Sequence, residues 1–411
     1  MPAPLPAIER LELVTAQAAT GDGGNAWGGH QTRIVRTRTG RLYTAYTVST
    51  GAADMARRWR LAERLPKGWV VLAEGAAGRE PVNLLAGPDE QIHIVGWPDG
   101  LPRLWSVTRN NGKTAVREAA VPGAWARTNW PYGAAGINTR SGDLYVLQSN
   151  GDKPGEFRWA CRQGKEGRWR FQIVPLAYRH CYAYVLPGAE GGAPPLSLVA
   201  TRDVLWETLG YTRPEKAFAY VFNAVTCWQS PRRAGGSAAA ALRDTPVREE
   251  KPTAQFPLVE CGNAQTDAYI DMRGRLHVLY WLSGETTQGQ VETHHAVLEG
   301  DRIIKEVRLP LRGRPYCRFT QDKSGRFYLL SAEDGASELM IHPAVSEDGT
   351  SLGAPVSLRL KGHTIVYSGA AIACPRAGVP VEDYVDGVFP SGKGEQWVYF
   401  RLRLRGTSTG R

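Results

Sequence analysis

The sequence predicts an all-β chain built from one repeated unit, and three observations carry that prediction. Turn and strand formers are plentiful, with 46 Gly, 27 Pro, 16 Tyr and 13 Trp in 411 residues, while helix-favouring runs are scarce. A short turn followed by a strand of period two recurs along the chain. The recurrences are evenly spaced: the steps from 40 to 90 to 142 are 50 and 52 residues, and the step from 274 to 325 is 51. One hairpin cannot bury its apolar face alone, so such units stack. Four-stranded units of about 40 to 50 residues are the pattern of β-propeller blades around a channel. The expected architecture is therefore a single β-propeller over residues 1–411, seven-bladed within a range of six to eight, with four antiparallel strands to a blade.

The units follow in chain order. TRTGRLYTAYTV around Gly40 is the first, GPDEQIHIVGW around Glu90 the second and TRSGDLYVLQS around Gly142 the third. Later come DMRGRLHVLYWL around Gly274 and DKSGRFYLLSA around Gly325. Glycine at such a turn takes a positive φ, and the residues after it alternate between two faces. The interval from 142 to 274 is too long for two blades and too short for three. PLSLVATRDVLWETLGY near Leu196 supplies a unit there, with FAYVFNAVTCW, Phe218 to Trp228, as a later strand. The run PRRAGGSAAAALRDTPVREEKPTAQ from Pro231 has no strand period and reads as an inserted loop at about 231–256, a short helix or a lid. IVYSGAAIAC and QWVYFRLRL make the last unit, and LELVTAQ near the amino terminus can complete it, closing the ring and removing an exposed sheet edge.

A net charge of +10 and a pI near 9.4 favour an anionic partner, or serve solubility alone. No block of five Lys or Arg and no zinc-finger or RNA-recognition pattern is present, which argues against nucleic acid. No run of 18 apolar residues offers a membrane span. MPAPLPAIERLELV lacks the basic and apolar regions of a signal peptide. Cys161, Cys181, Cys227, Cys261, Cys317 and Cys374 form no C-x-x-C pair and read as small buried residues, with one or two disulfides open if the protein is exported. No Walker loop, dinucleotide fingerprint, nucleophile elbow or HExxH occurs, so neither a cofactor nor a metal is expected.

The turn-strand units resemble the bacterial neuraminidase repeat propellers of the sialidase-like superfamily. SEDGTSLGAPVSL from Ser346 is similar to the Asp-box hairpin of those proteins: Ser346, Asp348 and Gly349 lie near its pattern, and Leu352 stands where Trp is expected. GGHQTRIVRTRTGRLYTAY, from Gly28 to Tyr46, looks like the first-blade element of the repeat-containing polysaccharide lyases, such as ulvan lyases, and of the rhamnosyl-glucuronate-cleaving propellers. His30 holds the place of their histidine, followed by Gln31 where the ulvan-lyase pattern more often has Asn. YRHCYAYVLPG, with Arg179, His180 and Tyr182, is similar to their central strand. The arginine triad, Tyr/Glu pair and acidic acid/base of true sialidases are not placed here. The resemblance implies a secreted or periplasmic enzyme acting on an acidic polysaccharide or oligosaccharide that contains uronic acid.

β-Elimination from a uronate needs a base for the proton α to the carboxylate, an acid for the leaving oxygen, and a cation for the enolate-like charge. His30, His180, Tyr182 and Arg179 are the catalytic candidates. His30, between glycines and a strand, is expected to be exposed, and alternation is expected to point His180 and Tyr182 the same way and Arg179 the other. Gln31, Arg33, Trp130, Tyr132, Arg202 and Trp206 are the substrate-binding candidates, the aromatic ones, with Trp27 and Tyr211, as faces on which sugars stack. Asp203 and Glu207 either pair with arginines or serve as hydrolase carboxylates. His294 and His295 point to opposite faces, so that one can reach the channel, while His93 and His277 read as packing residues. A polysaccharide lyase is thus the leading expectation, with a non-catalytic glycan- or protein-binding propeller and a glycoside hydrolase as alternatives.

Overall fold

A computed structural model describes residues 5–51, 57–164, 167–188, 195–231, 242–366 and 370–405, with backbone alone at 263–266. Seven four-stranded antiparallel sheets surround a channel, and among the described residues the helical content is two 3-10 turns, Pro98–Gly100 and Trp206–Leu209. The innermost strands are Ile34–Arg36, Asn83–Ala86, Ala134–Ile137, His180–Pro187, Glu260–Ile270, Tyr316–Gln321 and Ala371–Ile372. The second strand of each blade, such as Leu42–Ser49 or Leu276–Ser283, is buried almost throughout because neighbouring blades cover both of its faces. Outer strands such as Lys113–Ala120 and Arg302–Arg308 are largely exposed and carry the charge.

Each predicted hairpin joins the first and second strands of a blade. Gly40, Gly142, Gly274 and Gly325 take φ of 87°, 73°, 78° and 83°, and in the second blade the residue at positive φ is Glu90, at 66°. A side chain is disfavoured there, but the Glu90 carboxylate accepts hydrogen bonds from the Thr39 amide and hydroxyl of the blade before. In the fifth and sixth blades Asp271 and Asp322 brace the same turn, each accepting from the amides two and four residues on. Ser346 and Asp348 brace the hairpin between the last two strands of the sixth blade: the hydroxyl donates to the carboxylate at 2.7 Å and accepts from the Ser351 amide at 2.9 Å. Leu352 packs against the buried cluster to which Phe319 and Phe327 belong.

The fourth blade departs from the sequence reading. Its inner strand is His180–Pro187, so Leu196–Arg202 is its second strand, and Ala224–Gln229 is the third. The expected loop at about 231–256 is partly a strand, because Arg243–Glu249 pairs with Ala224–Gln229 and completes the blade. Four charged residues hide that strand from a hydrophobic-period search. Residues 232–241 of the expected loop, and Tyr367, Ser368 and Gly369 of the expected last unit, lie outside the described residues. The real excursion is 203–223, which carries a two-stranded ribbon, Val204–Leu205 with Tyr220–Val221.

Ring closure follows the expectation for the amino terminus: Ala7–Thr15 pairs with Gln396–Arg403 as the outermost strand of the seventh blade. A buried ionic group joins the seventh blade to the first, where Asp386 takes Arg36, Arg401 and the Tyr399 hydroxyl. One connection crosses the channel. The segment 373–379 of the seventh blade reaches the second and third, with the Ala86 amide on the Ala377 carbonyl at 2.8 Å and the Ile137 amide on the Arg376 carbonyl at 2.9 Å. Gly378 is required there, since a Cβ would fall 1.9 Å from the Ala86 carbonyl oxygen. This segment plugs the turn end of the channel. All six cysteines are buried free thiols. Among the described residues no helix is long and apolar enough to cross a membrane.

Candidate active site at the channel mouth

Antiparallel blades of one topology send every inner strand through the channel in the same direction, so the residues just before those strands gather at one end. His30 precedes Ile34, Glu80 precedes Asn83, Trp130 and Tyr132 precede Ala134, and Arg179 precedes His180. The first of these loops is held tightly. Asn25 bonds the Ala19 and Thr47 carbonyls and accepts the Thr47 amide. Arg33, 3% exposed, donates to the carbonyls of Asn25 at 3.1 Å and Trp27 at 2.6 Å and to the Gln31 side chain at 3.1 Å. Gln31 in turn donates to the Gly133 carbonyl at 3.2 Å. Both residues fasten the loop to the scaffold, and burial first of all brings Arg33 down to about 9.

A layer of half-buried rings covers the mouth. Trp27 is its hub, with centroid distances of 5.4 Å to Trp130, 5.9 Å to Tyr132 and 5.6 Å to Tyr182. Tyr132 meets Tyr182 edge-on at 5.4 Å, and Tyr182 lies 6.0 Å from Phe222. Phe222 stacks with the exposed Phe218, their planes 7° apart. Two cations flank the layer: Arg79 lies 3.3 Å from the Trp130 centroid, and Arg179 sits 5.6 Å from Tyr132 and 5.0 Å from Tyr220. The guanidinium groups lie over ring faces, so the mouth sets apolar and positively charged surface side by side.

His30 lies under this layer rather than on it. The expected exposure is corrected to 0%. Its ring meets Tyr182 at 5.6 Å and Trp27 at 6.0 Å. Neither ring nitrogen makes a hydrogen bond of good geometry with a described residue, and the nearby Gly133 carbonyl, which accepts from Gln31 and Asn83, favours the charged ring only weakly. Burial, then the charges of Arg376, Arg33 and Arg318, bring its pKa from 6.5 to about 3, so the imidazole is neutral at pH 7.

The expected sharing of a face by His180 and Tyr182 does not occur. A bulge between Cys181 and Tyr184 inserts an extra residue, and Tyr182 adopts φ of 56°. Tyr182 consequently turns to the mouth while His180 turns into its blade. His180 bonds the Tyr178 carbonyl at 3.0 Å, lies 3.4 Å from the Thr226 hydroxyl and meets Trp228 edge-on at 4.9 Å. Burial lowers it too, to about 3. Arg179 joins Tyr182 at the mouth, its Nε donating to the Asp203 carbonyl at 2.8 Å. Arg202 pairs with Glu249 across the outer blade, and Trp206 is buried, its indole N–H on the Phe218 carbonyl at 2.9 Å, supporting the 203–223 excursion. His294 and His295 sit on a third strand away from the channel: His295 contacts His277 at 3.0 Å, and His294 pairs with Glu292.

Two acids complete the mouth. Glu80, absent from the sequence candidates, is 1% exposed and accepts the amides of Tyr132 at 2.7 Å and Gly133 at 2.9 Å. Burial raises it to about 8. Its signal was positional, since it stands just before an inner strand as His30 does. Asp203 pairs with Arg179 and is raised by burial, whereas Glu207 is exposed, so the two do not form an opposed carboxylate pair. Phe218, Tyr220 and Phe222 were hidden by the excursion's irregularity. Among the described residues no group of three His, Cys, Asp or Glu is placed to hold a metal ion.

No protein-family model matches the chain, and no curated sequence matches it. Solved structures do. The polysaccharide lyase Uly1 superposes with a TM-score of 0.60 at 12% identity, covering 97% of this chain and 99% of its own. An α-L-arabinanase of Penicillium chrysogenum bound to arabinobiose gives 0.46 at 10% identity, over 98% and 99%. NanB with Optactamide gives 0.42 at 10%, over 95% and 71%. At these identities the likeness is one of fold.

Proposed function

We propose that the channel mouth binds an acidic polysaccharide and cleaves it by β-elimination beside a uronic acid. The observation that supports this best is the contact of His30 with Tyr182 beneath a ring layer edged by Arg179. The likeness to a polysaccharide lyase over the whole chain agrees with it. In this reading Arg179 engages the uronate carboxylate. His30, neutral at pH 7, takes the proton from the carbon α to that carboxylate, the freed electron pair forms the C=C bond, and the bond to the glycosidic oxygen breaks. Tyr182, whose own pKa burial holds well above its ordinary value, donates its proton to the departing oxygen. The arriving carboxylate offsets the arginine charges that disfavour protonated His30.

The complete burial of His30 favours a second reading, in which the rings bind glycan and no bond is broken. Incubation with a panel of uronate polysaccharides separates the two. Ultraviolet absorbance of an unsaturated uronate, abolished in Tyr182→Phe, supports elimination. Retention of the protein on immobilised glycan without such absorbance supports binding alone. Release of reducing ends without the chromophore means hydrolysis.

A further inference from the structure

The 203–223 excursion extends the ring layer to a side chain that the fold leaves in water. Phe218 is 68% exposed, yet its ring is continuous with the mouth. It lies parallel to Phe222 at 6.3 Å, and Phe222 lies 6.0 Å from Tyr182. Tyr220, 5.8 Å from Phe218, carries the Arg179 guanidinium over its ring at 5.0 Å. A scattered apolar side chain on a surface needs no explanation, but this one is held in place. The buried Trp206 donates its indole N–H to the Phe218 carbonyl at 2.9 Å. Val204, Trp206, Val221 and Val259 give the excursion a small core of its own. The Thr208 hydroxyl donates to Asp152 of the third blade at 2.8 Å, and the Phe222 carbonyl accepts the Cys261 amide of the fifth at 2.6 Å. An excursion tied to two other blades presents Phe218 without the entropic cost of ordering a loop.

We propose that Phe218 and Phe222 form a second sugar subsite, which takes the C–H face of an uncharged sugar next to the uronate. This rests on the reading of the mouth as a glycan site and adds a requirement to the glycan. A phenyl ring offers flat apolar surface with no donor or acceptor, so it favours a sugar face made of C–H groups. A carboxylate set against it would lose water and gain no partner. Charge is met at Arg179, over Tyr132 and Tyr220, and apolar surface at Phe218 and Phe222. The mouth and the excursion together suit a polysaccharide in which a neutral sugar adjoins the uronate.

Calorimetric affinity for oligosaccharides of increasing length tests the subsite, measured in a His30→Ala background so that turnover cannot consume the ligand. Fragments of hyaluronan and unsulfated chondroitin alternate uronate with a neutral sugar; fragments of polygalacturonate and alginate carry a charge on every sugar. Phe218→Ala is expected to weaken binding of the longer alternating fragments by about tenfold, and Phe218→Tyr, which keeps the flat ring, to restore it. Fragments charged throughout are expected to lose less than about twofold. The length-dependent loss, found in a protein whose wild type forms no unsaturated uronate, would keep the subsite and remove elimination. Elimination by the wild type, with equal affinities whether residue 218 is Phe or Ala, would remove the subsite and keep elimination. An equal loss on both kinds of fragment, or binding of neither kind, would also overturn the assignment.

Discussion

His30 and His180 share almost every property that is usually taken to mark a working histidine. Each stands at the entry to an inner strand, each is buried, and in each the pKa falls to about 3, chiefly through burial. Their partners differ. His180 bonds a carbonyl, approaches a hydroxyl and packs on an indole within its own blade. His30 makes no hydrogen bond of good geometry among the described residues, touches the rings of Trp27 and Tyr182, and stands among arginines from separate blades. A buried polar group is normally satisfied. Burial and a displaced pKa therefore do not tell the two histidines apart, whereas their partners and the meeting of several blades around His30 do.

The largest effect expected of this contrast is on turnover. His30→Ala and Tyr182→Phe are each expected to lower the rate of unsaturated-uronate formation by at least about 100-fold, while His180→Ala changes it by less than about threefold. A His180→Ala rate as low as that of His30→Ala would break the distinction. Next in size is the pH profile. With His30 neutral above about 3, kcat/KM is expected to stay level from pH 7 down to pH 5, where a histidine at 6.5 would impose a fall of more than about tenfold.

Stability should show the reverse order. His180→Ala removes packing on Trp228 and leaves the Tyr178 carbonyl without its donor, and is expected to cost about 2 kcal/mol by denaturant unfolding. His30→Ala gives up no hydrogen bond and is expected to cost less. A smaller shift belongs to Glu80, whose pKa rises from 4.5 to about 8 on folding. Folded Glu80 keeps a proton that the unfolded chain releases, so its contribution is full below about 4.5, declines as pH rises and is gone above about 8. Glu80→Gln is expected to flatten Tm against pH across that window. Least of all, Arg202→Gln breaks an outer pair with Glu249 and is expected to change stability by no more than about 0.5 kcal/mol.

The fold was legible because its turns are. A positive φ recurring every 50 residues or so leaves glycine in the sequence, and the strand after it is long and apolar. Inner strands such as Ile34–Arg36 and Asn83–Ala86 have three or four residues and no measurable period. Arg243–Glu249 is too charged to resemble a strand. At the mouth, Trp130 and Tyr132 were visible from their place before a hairpin. The pairing of His180 with Tyr182 failed because strict alternation was carried through a bulge that only the register reveals. Glu80 joins the site through the packing of the second blade on the third, and Phe222 through the return of the 203–223 excursion onto Tyr182, contacts that no local pattern encodes.

The ring's seam also has a consequence for synthesis. Leu11 pairs with Phe400, so a strand synthesised early waits for one synthesised nearly 400 residues later. Until the carboxyl-terminal residues emerge, the amino-terminal segment has an unpaired edge and Arg36 lacks the Asp386 carboxylate. Nascent chains should therefore pass through an open, six-bladed arc in which the edges of the first and last blades are free to find a wrong partner, and the pairing of Ala7–Thr15 with Gln396–Arg403 should end that exposure.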